Sequence, residues 1–156
     1  MEENLALKTC QECNAKCCKL GGAEMTKAEM QKITKAGYPE NYFNKISKNH
    51  YEFKNINGAC IFLLRNNACS IYNLRPHACK AWPVVYEKHG NKKREFFIAN
   101  CPVTKYLSKQ DLKEMKEQAS KITEEISEYP IDKSKMPKDI LDKCIKRYNK
   151  FKKTKI

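Results

Sequence analysis

Eight cysteines fall between residues 10 and 101, spaced C-x2-C-x3-C-C over Cys10, Cys13, Cys17 and Cys18 and then singly at Cys60, Cys69, Cys79 and Cys101. A C-x2-C pair folds back so that both sulfurs can reach one site. One such pair is a weak signal; four cysteines within nine residues, followed by four more at turn-like positions, are a strong one. Adjacent Cys17 and Cys18 add a constraint. Successive side chains diverge, so either the two face separate metal positions, or one binds metal and the other packs. That argues against a zinc ribbon, whose ligands come as two separated C-x2-C pairs.

The compartment decides whether such cysteines are thiols or disulfides. The N-terminus, Met1-Glu2-Glu3-Asn4, begins acidic and lacks an apolar signal core. No run approaches the roughly 18 apolar residues of a membrane span. A cytosolic protein with no membrane partner is therefore expected, and in a reducing cytosol dense cysteine points to metal or redox chemistry. Nine cysteines in 156 residues, about 6%, also fall short of the roughly 8–10% of disulfide scaffolds. A secreted disulfide framework is the lesser reading. The formal charge of +13 counts every cysteine as neutral; thiolate ligands would lower it and leave the chain basic. Lysine outnumbers arginine 27 to 4, which favours diffuse charge over planar, bidentate recognition.

Local patterns predict a small single α+β domain with one modest core. Thr26 and Glu29 form a capping box, with Met25 and Met30 at staple positions, and Gly37 and Pro39 end that helix. Cys60–Leu64 and Ala68–Tyr72 flank Asn66-Asn67 as a hairpin, and Val84–Tyr86 with Phe96–Ile98 form a second about His89-Gly90-Asn91. Between them the prolines of Leu74-Arg-Pro-His-Ala-Cys-Lys-Ala-Trp-Pro83 bracket one turn of helix. Beyond Cys101-Pro102 helix formers take over. Ser108 and Asp111 cap a helix with Leu112, Met115, Ala119, Ile122 and Ile126 on one side, stopped by Tyr129-Pro130. A last helix places Ile140, Leu141, Cys144, Ile145, Tyr148 and Phe151 on an apolar side and Lys143, Lys146, Arg147, Lys150, Lys152, Lys153 and Lys155 on a basic one. The expected organisation is a cysteine-cluster region over residues 1–104 and a helical extension over 105–156.

The cluster's surroundings lean toward an iron–sulfur centre ahead of zinc. Cys101 precedes Pro102, as in bacterial ferredoxin runs, and Cys79 lies among Ala78, Ala81, Trp82 and Pro83, where apolar shielding tunes such a centre. Zinc sites also carry prolines and apolar neighbours, so zinc stays open. Arg75 is a candidate to offset thiolate charge, with an ordinary salt bridge as the equal alternative. His77 is a candidate hydrogen-bond donor to a cluster sulfur. His50 and His89 sit in polar contexts and are expected to be exposed. Cys144 falls on an apolar stripe and reads as a packing thiol. The basic last helix could meet nucleic-acid phosphates, but its aromatics belong to the apolar stripe, so a solvated basic face is the default. There is no Gly-rich phosphate loop, G-x-S-x-G elbow or H-E-x-x-H motif.

The string Cys10-x2-Cys13-x3-Cys17-Cys18, with Cys60-x-Phe62-Leu63, Cys69-x-Ile71-Tyr72, Arg75-Pro76, Cys79, Trp82-Pro83 and Cys101, resembles the YkgJ-type cysteine-cluster proteins, described as zinc- or iron-chelating. The resemblance covers residues 10–101. It implies that Cys10, Cys13, Cys17, Cys18, Cys60, Cys69, Cys79 and Cys101 form the metal-binding set. Larger members, including flagellin lysine N-methylases, carry the module. Lys80 departs from the arginine that commonly follows that cysteine. Three roles are consistent with these observations: an iron–sulfur or metal-binding protein for electron transfer, cluster assembly or metal handling; an accessory module whose protein partner is a protein- or RNA-modifying enzyme; or a metal-dependent enzyme.

Overall fold

A computed structural model describes residues 3–87, 95–126 and 153–156. Among the described residues there are four α-helices, α1 (Glu3–Glu12), α2 (Lys27–Lys35), α3 (His77–Ala81) and α4 (Lys109–Glu125), and eight short strands. The strands β1 (Glu24–Thr26), β2 (Phe43–Lys45) and β3 (His50–Phe53) form an antiparallel sheet in the order β1-β3-β2. A two-stranded ribbon joins β4 (Asn55–Ile56) to β5 (Ala59–Cys60). A third sheet, again antiparallel, orders β6 (Val84–Glu87), β7 (Glu95–Ala99) and β8 (Lys153–Lys155). The class is α+β, as the sequence patterns predict.

Both capping boxes form. Thr26 Oγ1 accepts from the Glu29 N–H over 3.2 Å while the Thr26 N–H donates to Glu29 Oε2 over 2.9 Å. Ser108 and Asp111 make the same reciprocal pair at the start of α4. Each box satisfies helix N–H groups that would otherwise lack partners. The Glu29 carboxylate does a second job, accepting from the His77 N–H over 2.7 Å through Oε1 and so tying α2 to the first turn of α3.

Two apolar cores position the cysteines. In the first, Met25, Met30, Ile33, Phe43, Phe53, Phe62 and Ile71 are buried. Phe62 stands at its centre, with ring centroids of Tyr38, Tyr42 and Phe53 at 5.2, 5.6 and 4.8 Å in edge-on contact. Cys60, Cys69 and Cys79 pack against this core from its margin. The second core joins Ala81 and Val84 to Ala119, with Leu112, Met115 and Ile122 of α4 against it. It holds α3 and β6 on α4.

Gly22 is obligatory between these parts. A Cβ there would lie 2.0 Å from the Phe53 carbonyl oxygen, a backbone atom that cannot step aside. The close approach lays the segment that follows Cys18 against β3, where the Phe53 N–H donates to the Ala23 carbonyl over 3.1 Å.

Several expectations are corrected. The hairpin over Cys60–Leu64 and Ala68–Tyr72 shrinks to a single antiparallel bridge, Leu63 to Cys69, because the chain turns at left-handed Asn67 (φ 62°) and Phe62 dives into the core. Cys60 pairs instead with Asn55 of β4. His50 is 2% exposed, since β3 lies centrally between β1 and β2 and leaves no open edge for it. Lys153 and Lys155 belong to strand β8, not a helix, and Lys155 pairs with Phe97 in the ladder and with the Glu95 carboxylate. The remainder of the basic last helix, Cys144, His89 and the Tyr129-Pro130 stop lie outside the described residues. Among the described residues no helix is long and apolar enough to cross a membrane.

Candidate metal centre

The N-terminal cysteines are brought together by one helix and one left-handed turn. Cys10 rides the last turn of α1, whose apolar stripe is weak. The chain then reverses through Asn14 (φ 62°) and Ala15 (φ 45°), with the Ala15 N–H donating to the Cys10 carbonyl over 2.9 Å. Asparagine tolerates this region; alanine does not, so its methyl is held there by burial at 2% exposure. Cys17 and Cys18 follow on a 3-10 turn, Cys18–Leu20.

The later cysteines arrive from separate elements: Cys60 from β5, Cys69 from the bridge to Leu63, Cys79 from α3, and Cys101 from the start of the 3-10 turn Pro102–Tyr106. Ser70 fixes Cys69 beside Cys60 by donating through both its N–H and its hydroxyl to the Phe62 carbonyl, at 3.0 and 3.1 Å. Cys10, Cys17, Cys18, Cys60, Cys69 and Cys79 line one cavity of about 470 Å³ whose other walls include Leu7, Leu63, Trp82, Val85, Val103 and Met115. Cys13 and Cys101 are not part of that lining. The Cys13 thiol donates to the Cys10 carbonyl over 3.3 Å, and the Trp82 indole N–H donates to the Cys101 sulfur. All eight are free thiols, so no disulfide forms among them. Among the described residues, no three Cys, His, Asp or Glu side chains converge as the shell of a single ion; the sulfurs are arrayed around the cavity instead.

The electrostatics are those of thiols crowded in an apolar site. Burial pushes Cys10 and Cys60 up to about 11, and neighbouring thiols add to it. Cys69, Cys79 and Cys101 are raised for the same first reason. Cys17 and Cys18, with sulfurs 4.0 Å apart, share a hydrogen bond that splits them. It holds Cys17 high as the thiol and brings Cys18 down, with Arg75 assisting. Arg75 lines the cavity near Cys10, Cys18, Cys69 and Cys79. Its guanidinium is fixed 3.5 Å above the Tyr72 ring while Nε donates to the Tyr72 carbonyl over 2.9 Å. His77 does not line the cavity. Its Nδ1 lies 2.5 Å from Gln118 Oε1, tying α3 to α4, and its place is that of a tether for the helix that carries Cys79.

In the reduced, metal-free chain Cys18 is expected to be alkylated first of the eight. The hydrogen bond from Cys17 and the nearby Arg75 favour the Cys18 thiolate, whereas burial keeps the raised thiols protonated at neutral pH. Its reactivity should fall as the pH drops. Limiting iodoacetamide followed by peptide mass mapping checks this; earlier labelling of Cys60 or Cys79 would contradict it.

A family model described as "Putative zinc- or iron-chelating domain" and named for the motif CxxCxxCC matches residues 9–102. The chain belongs to the CxxCxxCC family. No curated protein and no solved structure matches it. As a CxxCxxCC protein it is metal-chelating, and the matched span contains all eight cysteines of the cluster. It carries three residues, not two, between its second and third motif cysteines. The left-handed pair at Asn14 and Ala15 absorbs the longer spacing.

Proposed function

We propose that this CxxCxxCC protein holds an iron–sulfur centre on the cysteines from Cys10 to Cys101 and serves electron transfer or the handling of clusters and metal. The observation that carries the reading is the cavity of about 470 Å³ ringed by six cysteines. A lone zinc ion draws its four sulfurs to about 2.3 Å, hence to about 3.8 Å from one another, and leaves no space among them. A cavity of this size suits an inorganic core of several atoms. The donor set agrees, because cysteine thiolates are the usual ligands of such cores.

When bound, such a centre supplies one-electron transfer. The chain's own residues do the rest. Leu7, Leu63, Val85, Val103 and Met115 give the sulfurs a largely apolar surround. Arg75, immobilised on Tyr72, offsets the negative charge that accumulates as the thiols ionise. Trp82 directs its indole N–H at Cys101 and favours the thiolate there. Glu29 and Gln118 hold α3, and therefore Cys79, in place.

Anaerobically purified protein is expected to be brown, with broad visible absorption that bleaches on addition of dithionite. A colourless protein whose spectrum does not respond to reductant would contradict the proposal.

A further inference from the structure

The eight thiols do not form one even ring. Cys17 has αR backbone angles (φ −65°, ψ −40°) at the head of a 3-10 turn, so its side chain and that of Cys18 leave the backbone roughly 100–120° apart. They keep different company. On one side α1, carrying Cys10, packs against the Pro102–Tyr106 turn that begins at Cys101. Cys13 is bonded to the Cys10 carbonyl, and Cys101 has Cys13 as its thiol neighbour. Beyond Cys18, the thiols that act on Cys17 electrostatically are Cys10 and Cys101. On the other side β5, carrying Cys60, packs against the turn Cys18–Leu20. Cys60, Cys69 and Cys79 share the aromatic core around Phe62, and Cys18 neighbours all three. All four of this second group line the cavity, whereas Cys13 and Cys101 do not. Only Cys10 also has a neighbour across the divide, in Cys18.

We propose that the chain carries two four-thiolate metal centres, one on Cys10, Cys13, Cys17 and Cys101 and the other on Cys18, Cys60, Cys69 and Cys79, with the Cys17–Cys18 peptide as their common wall. The division rests on the reading of the eight cysteines as ligands, but not on whether the metal is iron or zinc. It explains the vicinal pair: each member completes a different set, and the two sulfurs, 4.0 Å apart, meet at the boundary between the sets. The centres are also unlike. Arg75 lies near three thiols of the second set, Cys18, Cys69 and Cys79, and near Cys10 alone of the first.

The test is graded chelation of the purified wild-type chain, followed by native mass spectrometry and alkylation mapping at each step. A half-loaded species is expected, in which the cysteines open to alkylation form one complete quartet and the other quartet stays protected. The double variant C13S/C101S should retain half the metal and protect Cys18, Cys60, Cys69 and Cys79; C60S/C79S should retain the other half. Passage of the wild type from full to empty without a half-loaded species would overturn the division, as would a half-loaded species that protects Cys17 and Cys18 together. So would loss of all metal in either variant while its circular dichroism remains that of a folded chain. The wild-type series decides the matter if the variants do not fold. A chain that binds no metal overturns the ligand reading itself, a result distinct from metal bound as a single unit.

Discussion

The metal-free chain is expected to melt about 10 °C or more below the loaded one. Six thiols line a largely apolar cavity, and ionising them without a bound cation would crowd like charges there. Binding free energies for structural metal run to roughly 10–16 kcal/mol and are coupled to folding. Even about 4 kcal/mol would move the melting point by about 10 °C in a chain of this size. The advantage has a pH sign. Burial holds Cys10 and Cys60 up to about 11, so the metal must displace their protons at neutral pH, and the gain from binding shrinks as the pH falls. Thermal melts with and without chelator at two pH values check both parts; coincident melts would contradict them.

Phe62→Ala is expected to cost about 4 kcal/mol, within the roughly 3–5 kcal/mol range for removing a fully buried phenyl ring. Phe62 is 3% exposed, and the rings of Tyr38, Tyr42, Phe43 and Phe53 close around it, so the site cannot collapse onto the vacated space. The loss is a large part of the roughly 5–15 kcal/mol that holds a domain folded. It also reaches the cysteines, because Cys60, Cys69 and Cys79 pack against the core that the Phe62 ring centres. Urea denaturation of the loaded protein should show a lower midpoint, with metal released earlier in the transition. Ile56→Ala, at a position 57% exposed, should change stability by no more than about 0.5 kcal/mol. Equal midpoints for the two variants would contradict the central role given to Phe62.

Local chemistry was legible in the sequence where a short-range rule decides the outcome. The two capping boxes, the Pro-bracketed α3 and the β6–β7 pairing all follow from neighbours in the chain. What was illegible depended on distant partners. Helix α1 packs against the Pro102–Tyr106 turn, a contact on which no local pattern reports. His50 looked solvated among Lys48, Asn49 and Tyr51, yet the central position of β3 buries it. Glu29 announced itself as a helix cap, but its bond to α3, 48 residues away, had no sequence signature. For the site, the spacing located the cysteines and raised the question of Cys17 and Cys18. Only the fold supplied their different neighbours and the place of Arg75 among the thiols.

The central claim is tested most directly by iron, zinc and acid-labile sulfide analysis of the full chain purified without oxygen after expression with ample iron. The account predicts iron and sulfide in comparable amounts and little zinc. Stoichiometric zinc without sulfide would contradict the iron–sulfur assignment.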